Sequence, residues 1–219
     1  MILPLLFGLI GTAILIWLGV WQIHRLAWKE GVLAQISARL DDAPTVLPAQ
    51  PDPVADKYLP VTVSGRFTGQ GLDVLASRKG DGAGYRVIAA FQTDDGRRIM
   101  IDRGFLPEDQ RQAPRTATTA TIVGTLHWPD EVDSYTPAPD ATTGIWFARD
   151  VPAMAAALGT APVLVVARDA TGDGIDPMPV DTSGIPNDHL QYAITWFSLA
   201  VVWVGMTVLL LWRIRRQTV

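Results

Sequence analysis

"HLQYAITWFSLAVVWVGMTVLLLW", from His189 to Trp212, runs for 24 residues without an Asp, Glu, Lys or Arg. At 1.5 Å per residue a helix of this length reaches about 36 Å, enough to cross a hydrocarbon core of about 30 Å. Such a segment is either a membrane span or the buried helix of a large core. The other end of the chain decides between them. Met1 to Ile23 is equally free of charge, and a chain of 219 residues has no core that would bury two such helices. Two transmembrane helices are expected, at 1–23 and 189–212, with the lipid bilayer as the first partner.

What lies between the two runs has the opposite character. Glu30 to Asp188 holds all 22 acidic residues and 13 of the 18 basic ones, a net charge of −9. Residues 24–188 therefore read as a water-exposed acidic domain with its linkers. Nucleic acid is excluded as a partner, because phosphate contacts need clustered Lys and Arg. Arg213, Arg215 and Arg216 make a basic tail at 213–219, which the positive-inside rule assigns to the cytoplasm. Two spans then put the domain on the exoplasmic side, although Arg25 and Lys29 flank the opposite end of the first helix and run against this bias. The first run is read as a retained anchor. Its apolar core is longer than that of a signal peptide, no basic residue precedes it, and "GVWQIHRLAWKE" (19–30) offers large aromatics where a cleavage site needs small residues. Without an arginine-rich amphipathic leader, a bacterial inner membrane is expected, with the domain in the periplasm.

The acidic domain reads as β-rich. "YLPVTVSGRF" (58–67) alternates apolar and polar residues with period two, and "LDVLAS", "ATIVGTLHW" and "PVLVVAR" add further short strands. Arg86–Thr93 and Arg97–Arg103 flank Asp94-Asp95-Gly96, a strong hairpin signal because glycine takes the positive φ such turns demand. One helix interrupts the strands. "RDVPAMAAALG" (149–159) has Asp150 as cap, Pro152 in the first turn and Gly159 as stop. The expected class is a membrane protein of α+β type: two transmembrane helices flanking a barrel or sandwich-like domain with one or two short helices.

No catalytic constellation is visible. The chain has no cysteine, which removes disulfides, thiolate metal sites and covalent c-type haem. "KGDGAG" (79–84) lacks the spacing of a phosphate loop and reads as a hairpin turn. The acidic groups Asp130-Glu131-Asp133 and Asp169…Asp173 have a calcium-like look but sit in Pro- and Gly-rich loops, where carboxylates usually stay solvated. Arg103 reads as a structural arginine closing a strand. The chain is not read as an enzyme.

Five stretches carry a resemblance: "LGVWQIHRLAWK" (18–29), "GRF" (65–67), "DRGFLP" (102–107), "WFARDVPAMAAALG" (146–159) and "PNDHLQYAITWFSLA" (186–200). In this order the chain resembles the Surfeit-locus-protein-one family, assembly factors for cytochrome c oxidase with two membrane spans and a domain between them. Two departures are small, a Phe at 105 where the family has Trp and Asp188 where Asn is common. The resemblance implies assembly of the haem a-containing core, subunit I, alongside the machinery that makes haem a. It also implies that the histidine of the "HLQYA" motif, here His189, binds haem a. The alternative is an accessory subunit or scaffold bound to the oxidase or a respiratory supercomplex without holding haem.

The residues themselves allow a haem reading and a plainer one. At helical spacing His189, Ala193, Trp196 and Ala200 share one face, with Tyr192 beside them, and the first helix offers a stripe of Gly8, Thr12, Leu15, Gly19 and Gln22. Packed antiparallel, the helices bring His24 and His189 to one depth, where two imidazoles can flank an iron and the small residues leave room for a flat macrocycle. Arg25 and Lys29 suit propionate carboxylates, and Tyr192 and Trp196 suit the ring. The same residues also make an ordinary aromatic belt at a membrane boundary.

Overall fold

The computed structural model describes residues 2–183 and 185–217; the outermost positions of the expected first helix and tail, Met1, Thr218 and Val219, lie outside them, as does Gly184. The chain divides into two compact units, one of residues 1–35 and 182–219 and one of residues 36–181.

The first unit is a helix pair. Helix α1 spans Ile2–Leu40 and helix α3 spans His189–Gln217; α2 belongs to the other unit. Both are long and apolar enough to cross a membrane, and only 11 % and 6 % of their most apolar windows are buried. A core helix would show the reverse. α1 does not stop at Ile23, where its apolar run ends. Leu26–Leu40 is rich in Ala, Leu, Gln, Lys, Glu and Arg, all good helix formers, and holds no proline, so nothing in the backbone marks the membrane boundary. At 39 residues the helix is about 58 Å long, roughly twice what a hydrocarbon core needs.

The helices run antiparallel, and side chains of α3 fill hollows above the glycines of α1. A Cβ on Gly8 would lie 2.2 Å from Thr207 Cγ2, one on Gly11 2.4 Å from Trp203 Nε1, and one on Gly19 2.7 Å from Phe197 Cε1. Trp203 Nε1 also donates to the carbonyl oxygen of Gly8 at 3.1 Å. The buried residues are Gly8, Gly19 and Gln22 on one side and Ala193 and Ala200 on the other. Lipid offers no hydrophobic force to drive helices together, so this close fit is what holds the pair.

The second unit is a mixed sheet with short helices. Its strands are β1 (Thr45–Val46), β2 (Pro60–Arg78), β3 (Gly82–Thr93), β4 (Arg98–Pro107), β5 (Thr119–Leu126), β6 (Ile145–Trp146) and β7 (Leu164–Ala167), with α2 at Val151–Leu158 and a 3-10 turn at Glu108–Gln110. The pairings run β2-β3-β4-β7-β5 and return to β2, so these five strands form a closed ring; β1 and β6 add parallel to β2. Closure depends on the length of β2. Pro60–Arg66 pairs with β5 and Gly65–Arg78 with β3, and the register shift between Phe67 and Gly71 lets one strand serve both neighbours. Gly65 sits where the two ladders overlap, and a Cβ there would fall 2.1 Å from the Gln92 carbonyl oxygen.

Alternation assigns the two faces. Val61, Val63, Phe67, Ala89, Phe91, Ile99, Ile101, Ile122, Leu126 and Val165 form one core to which all five strands contribute. The intervening Ile88, Ala90, Met100 and Leu164 pack with Val74 under Val151, Met154, Ala155 and Leu158 of α2. Both faces of β3 and β4 are thus covered, which is why those strands read as nearly continuous apolar runs. α2 is bounded as its residues dictate: Asp150 accepts from Ala153 N, and Gly159 closes it in the left-handed conformation at φ 62°.

Candidate functional site

The polar groups of the helix pair converge at the start of α3. His189 is its first residue, and its Nδ1 lies 2.7 Å from Gln22 Oε1. The amide of Gln22 is 8 % exposed, buried between the helices. An amide oxygen only accepts, so Nδ1 carries the proton and the lone pair rests on Nε2. One heptad along α1 from Gln22, Lys29 donates through Nζ to the carbonyl oxygen of Pro186, tying down the turn that leads into α3. The Oδ1 of Asn187, two residues before His189, is buried without a hydrogen-bond partner among the described atoms.

The other expected site residues divide. Trp196, two turns beyond His189, is half-buried on the same seam, with Ala193 and Ala200 buried beside it. Tyr192 is 55 % exposed and faces outward. His24 is exposed and stands two residues from Gln22, about 200° around the helix, so the two imidazoles are not turned toward one space. Arg25 is exposed, its guanidinium 4.4 Å from the ring of Trp28. The glycines of α1 take Thr207, Trp203 and Phe197 of α3, the close approach expected of small residues, and Ala193 and Ala200 are buried in the same seam. A planar guest would have to meet His189 at the rim, not within the seam.

Gln22 was legible as part of a small-residue stripe but not as the partner of His189. The available signal was its chemistry. Apart from Thr12 it is the single hydrogen-bonding aliphatic side chain in a charge-free run, and such a group in a membrane helix needs a partner.

In the sheet unit several charged residues are spent on structure. Asp102, with no exposed surface, accepts from Arg86 Nε at 2.7 Å and Arg149 at 3.2 Å; Arg149 also grips Glu131, and Arg86 donates to the carbonyl oxygen of Met178 at 2.6 Å. Arg103, 2 % exposed, pairs with Asp173 at 2.9 Å and lies 4.6 Å over the ring of Phe67. Burial acts to raise the Asp173 carboxyl, but Arg103 and Thr116 hold it below its ordinary range. Of the calcium-like acidic groups, Glu131 and Asp173 face arginines, and Asp133 accepts from the backbone of Tyr135 at 2.8 Å. Among the described residues no group of three or more His, Cys, Asp or Glu is placed to hold a metal ion.

Known proteins place this arrangement. The SURF1 family profile matches residues 9–201, covering most of α1, the whole sheet unit and the first part of α3. A SURF1-like protein of Monosiga brevicollis is 31 % identical over 216 residues, 88 % of this chain and 82 % of its own length. Surfeit locus protein 1 of Rattus norvegicus is 28 % identical over 205 residues, 83 % of this chain and 67 % of its own. The protein of that name from Homo sapiens is 27 % identical over 207 residues, 84 % and 69 %. The chain belongs to the SURF1 family.

Proposed function

We propose that this chain is a membrane-anchored assembly factor for haem-copper cytochrome c oxidase. It takes haem a from the machinery that makes it and shields the haem as cargo until insertion into subunit I. It acts in a bacterial inner membrane, with the sheet unit in the periplasm, and performs no chemistry on the cargo. Family membership supports the oxidase assignment. The observation that carries the haem assignment is the His189–Gln22 contact, which engages Nδ1 and leaves Nε2 of a half-exposed imidazole open at the end of a membrane helix.

The residues present fit the cargo with one protein ligand. His189 would supply that ligand. The orphaned Oδ1 of Asn187 marks a polar rim that lacks a donor. Lys29 and Arg25 lie one to two turns along α1 from Gln22 and would face the propionates at this end. The outward position of His24 assigns it no part in binding iron.

The test uses full-length protein in detergent titrated with haem a. Wild type is expected to give the Soret band of a histidine-ligated haem and His189→Ala to lose it, with a matching fall of haem a in the oxidase of a strain carrying the variant. An unchanged spectrum in His189→Ala refutes the ligand assignment. Stoichiometric recovery with mature oxidase, without a haem band, would instead favour an accessory subunit.

A further inference from the structure

We propose that Gln22 is the positioning residue of this site: it fixes the tautomer of His189 and so selects Nε2 as the atom that meets a ligand. The proposal rests on the haem reading for its purpose but on geometry for its content. Free imidazole favours the proton on Nε2, which would leave Nδ1, close to the backbone, as the basic nitrogen. Here the 2.7 Å contact from Nδ1 to Gln22 Oε1 reverses that preference. Gln22 has little freedom to swing away. It is buried, Gly19 one turn earlier is capped by Phe197, and Lys29 two turns later holds Pro186 ahead of α3. A hydrogen bond in surroundings of low dielectric is also strengthened. Metal-binding histidines commonly donate their second ring N–H to a carbonyl or carboxylate, which fixes the ring and raises its basicity. In this protein that acceptor comes from the other helix. The imidazole is a competent ligand only while the two helices are paired.

The consequence can be read without any haem. In full-length protein labelled with ¹⁵N-histidine, the ring shifts of His189 report which nitrogen is protonated, and the two other histidines are assigned by substitution. Wild type is expected to show the Nδ1–H form, and Gln22→Leu is expected to lose it. With haem bound, Gln22→Leu is expected to lower the iron–histidine stretching frequency of the ferrous complex and to weaken haem binding roughly 10–100-fold. Gln22→Glu, which keeps an acceptor of the same shape and strengthens it when ionised, is expected to move that frequency the other way; as the change that keeps the contact it also serves if the leucine variant does not fold. An Nε2–H form in wild type, or identical ring shifts and stretching frequency in both variants, overturns the proposal. The ligand assignment fails separately: it falls if His189→Ala retains the ligated Soret band, whatever the tautomer.

Discussion

His127 ties the stability of the sheet unit to pH. It directly follows β5, its backbone N donating to Leu164 O at 3.0 Å, and its ring lies 5.5 Å from that of Tyr58. Its Nδ1 is buried with no hydrogen-bond partner among the described atoms. Burial pushes the imidazole from 6.5 down to about 4, the charges of Arg149, Lys57 and Arg86 push the same way, and Glu131 opposes them. In the unfolded chain the ring binds a proton below pH 6.5; in the folded chain it resists until about pH 4. The unfolded state therefore holds more protons in that window, and stability is full above 6.5 and falls as the pH drops toward 4. At about 1.4 kcal/mol per pH unit the loss is roughly 3 kcal/mol. Urea unfolding of full-length protein in detergent, followed by hydrogen exchange of the β4 and β7 amides, measures it. His127→Phe keeps a ring against Tyr58 and removes the proton site, so the difference between the two profiles isolates this residue from the carboxylates. Parallel profiles for wild type and His127→Phe across that window refute the reasoning.

Three further outcomes are expected. Asp102→Asn leaves Arg86 and Arg149 close together without their shared counter-charge, and should cost about 3–5 kcal/mol in the same unfolding assay. Gly65→Ala puts a methyl group against the Gln92 carbonyl oxygen at the overlap of two ladders and should abolish cooperative unfolding of the sheet unit, as seen by loss of slow-exchanging amides in β2 and β3. Gly8→Cys with Thr207→Cys places two Cβ atoms about 3.0 Å apart, slightly inside disulfide geometry, in a chain that has no other cysteine. A mild oxidant should close an intramolecular bridge, visible as a non-reducing mobility shift, and dimers alone would contradict the antiparallel register.

The two helices and the hairpin were legible because each rests on a local pattern: long charge-free runs, period-two alternation and an Asp-Gly turn. α2 was legible from its cap and stop. What the sequence did not reveal depends on contacts far apart in the chain. The ring closes because β2 is long enough to pair with β5 at one end and β3 at the other, and "GRF" gives no local sign that Gly65 is the crossing point. The two-residue strands β1 and β6 carry no period at all. The end of the first apolar run suggested the end of a helix, yet charge sets where a helix leaves the membrane while backbone propensity sets where it stops. At the rim the face shared by His189, Ala193, Trp196 and Ala200 follows from 3.6 residues per turn; the identity of the residue opposite His189 depends on register between helices more than 160 positions apart.

That register is set at a distance from the rim. Three glycines of α1 receive Thr207, Trp203 and Phe197 of α3, and the fit admits one alignment: sliding by a turn would drive Trp203 or Phe197 against a leucine or isoleucine. Gln22 meets His189 because Gly8, Gly11 and Gly19 meet Thr207, Trp203 and Phe197. Gly11→Leu tests this. Its side chain would displace the Trp203 indole and break the bond to Gly8, 11 residues or about 16 Å along α1 from Gln22. No atom of the site is touched. If the glycines hold the register, the ¹⁵N shifts of His189 should lose their Nδ1–H signature in Gly11→Leu as they do in Gln22→Leu, while strand amides of the sheet unit keep their protection. If His189 keeps that signature with leucine at position 11, the rim holds itself together, and the glycine stripe serves only to bring the helices close.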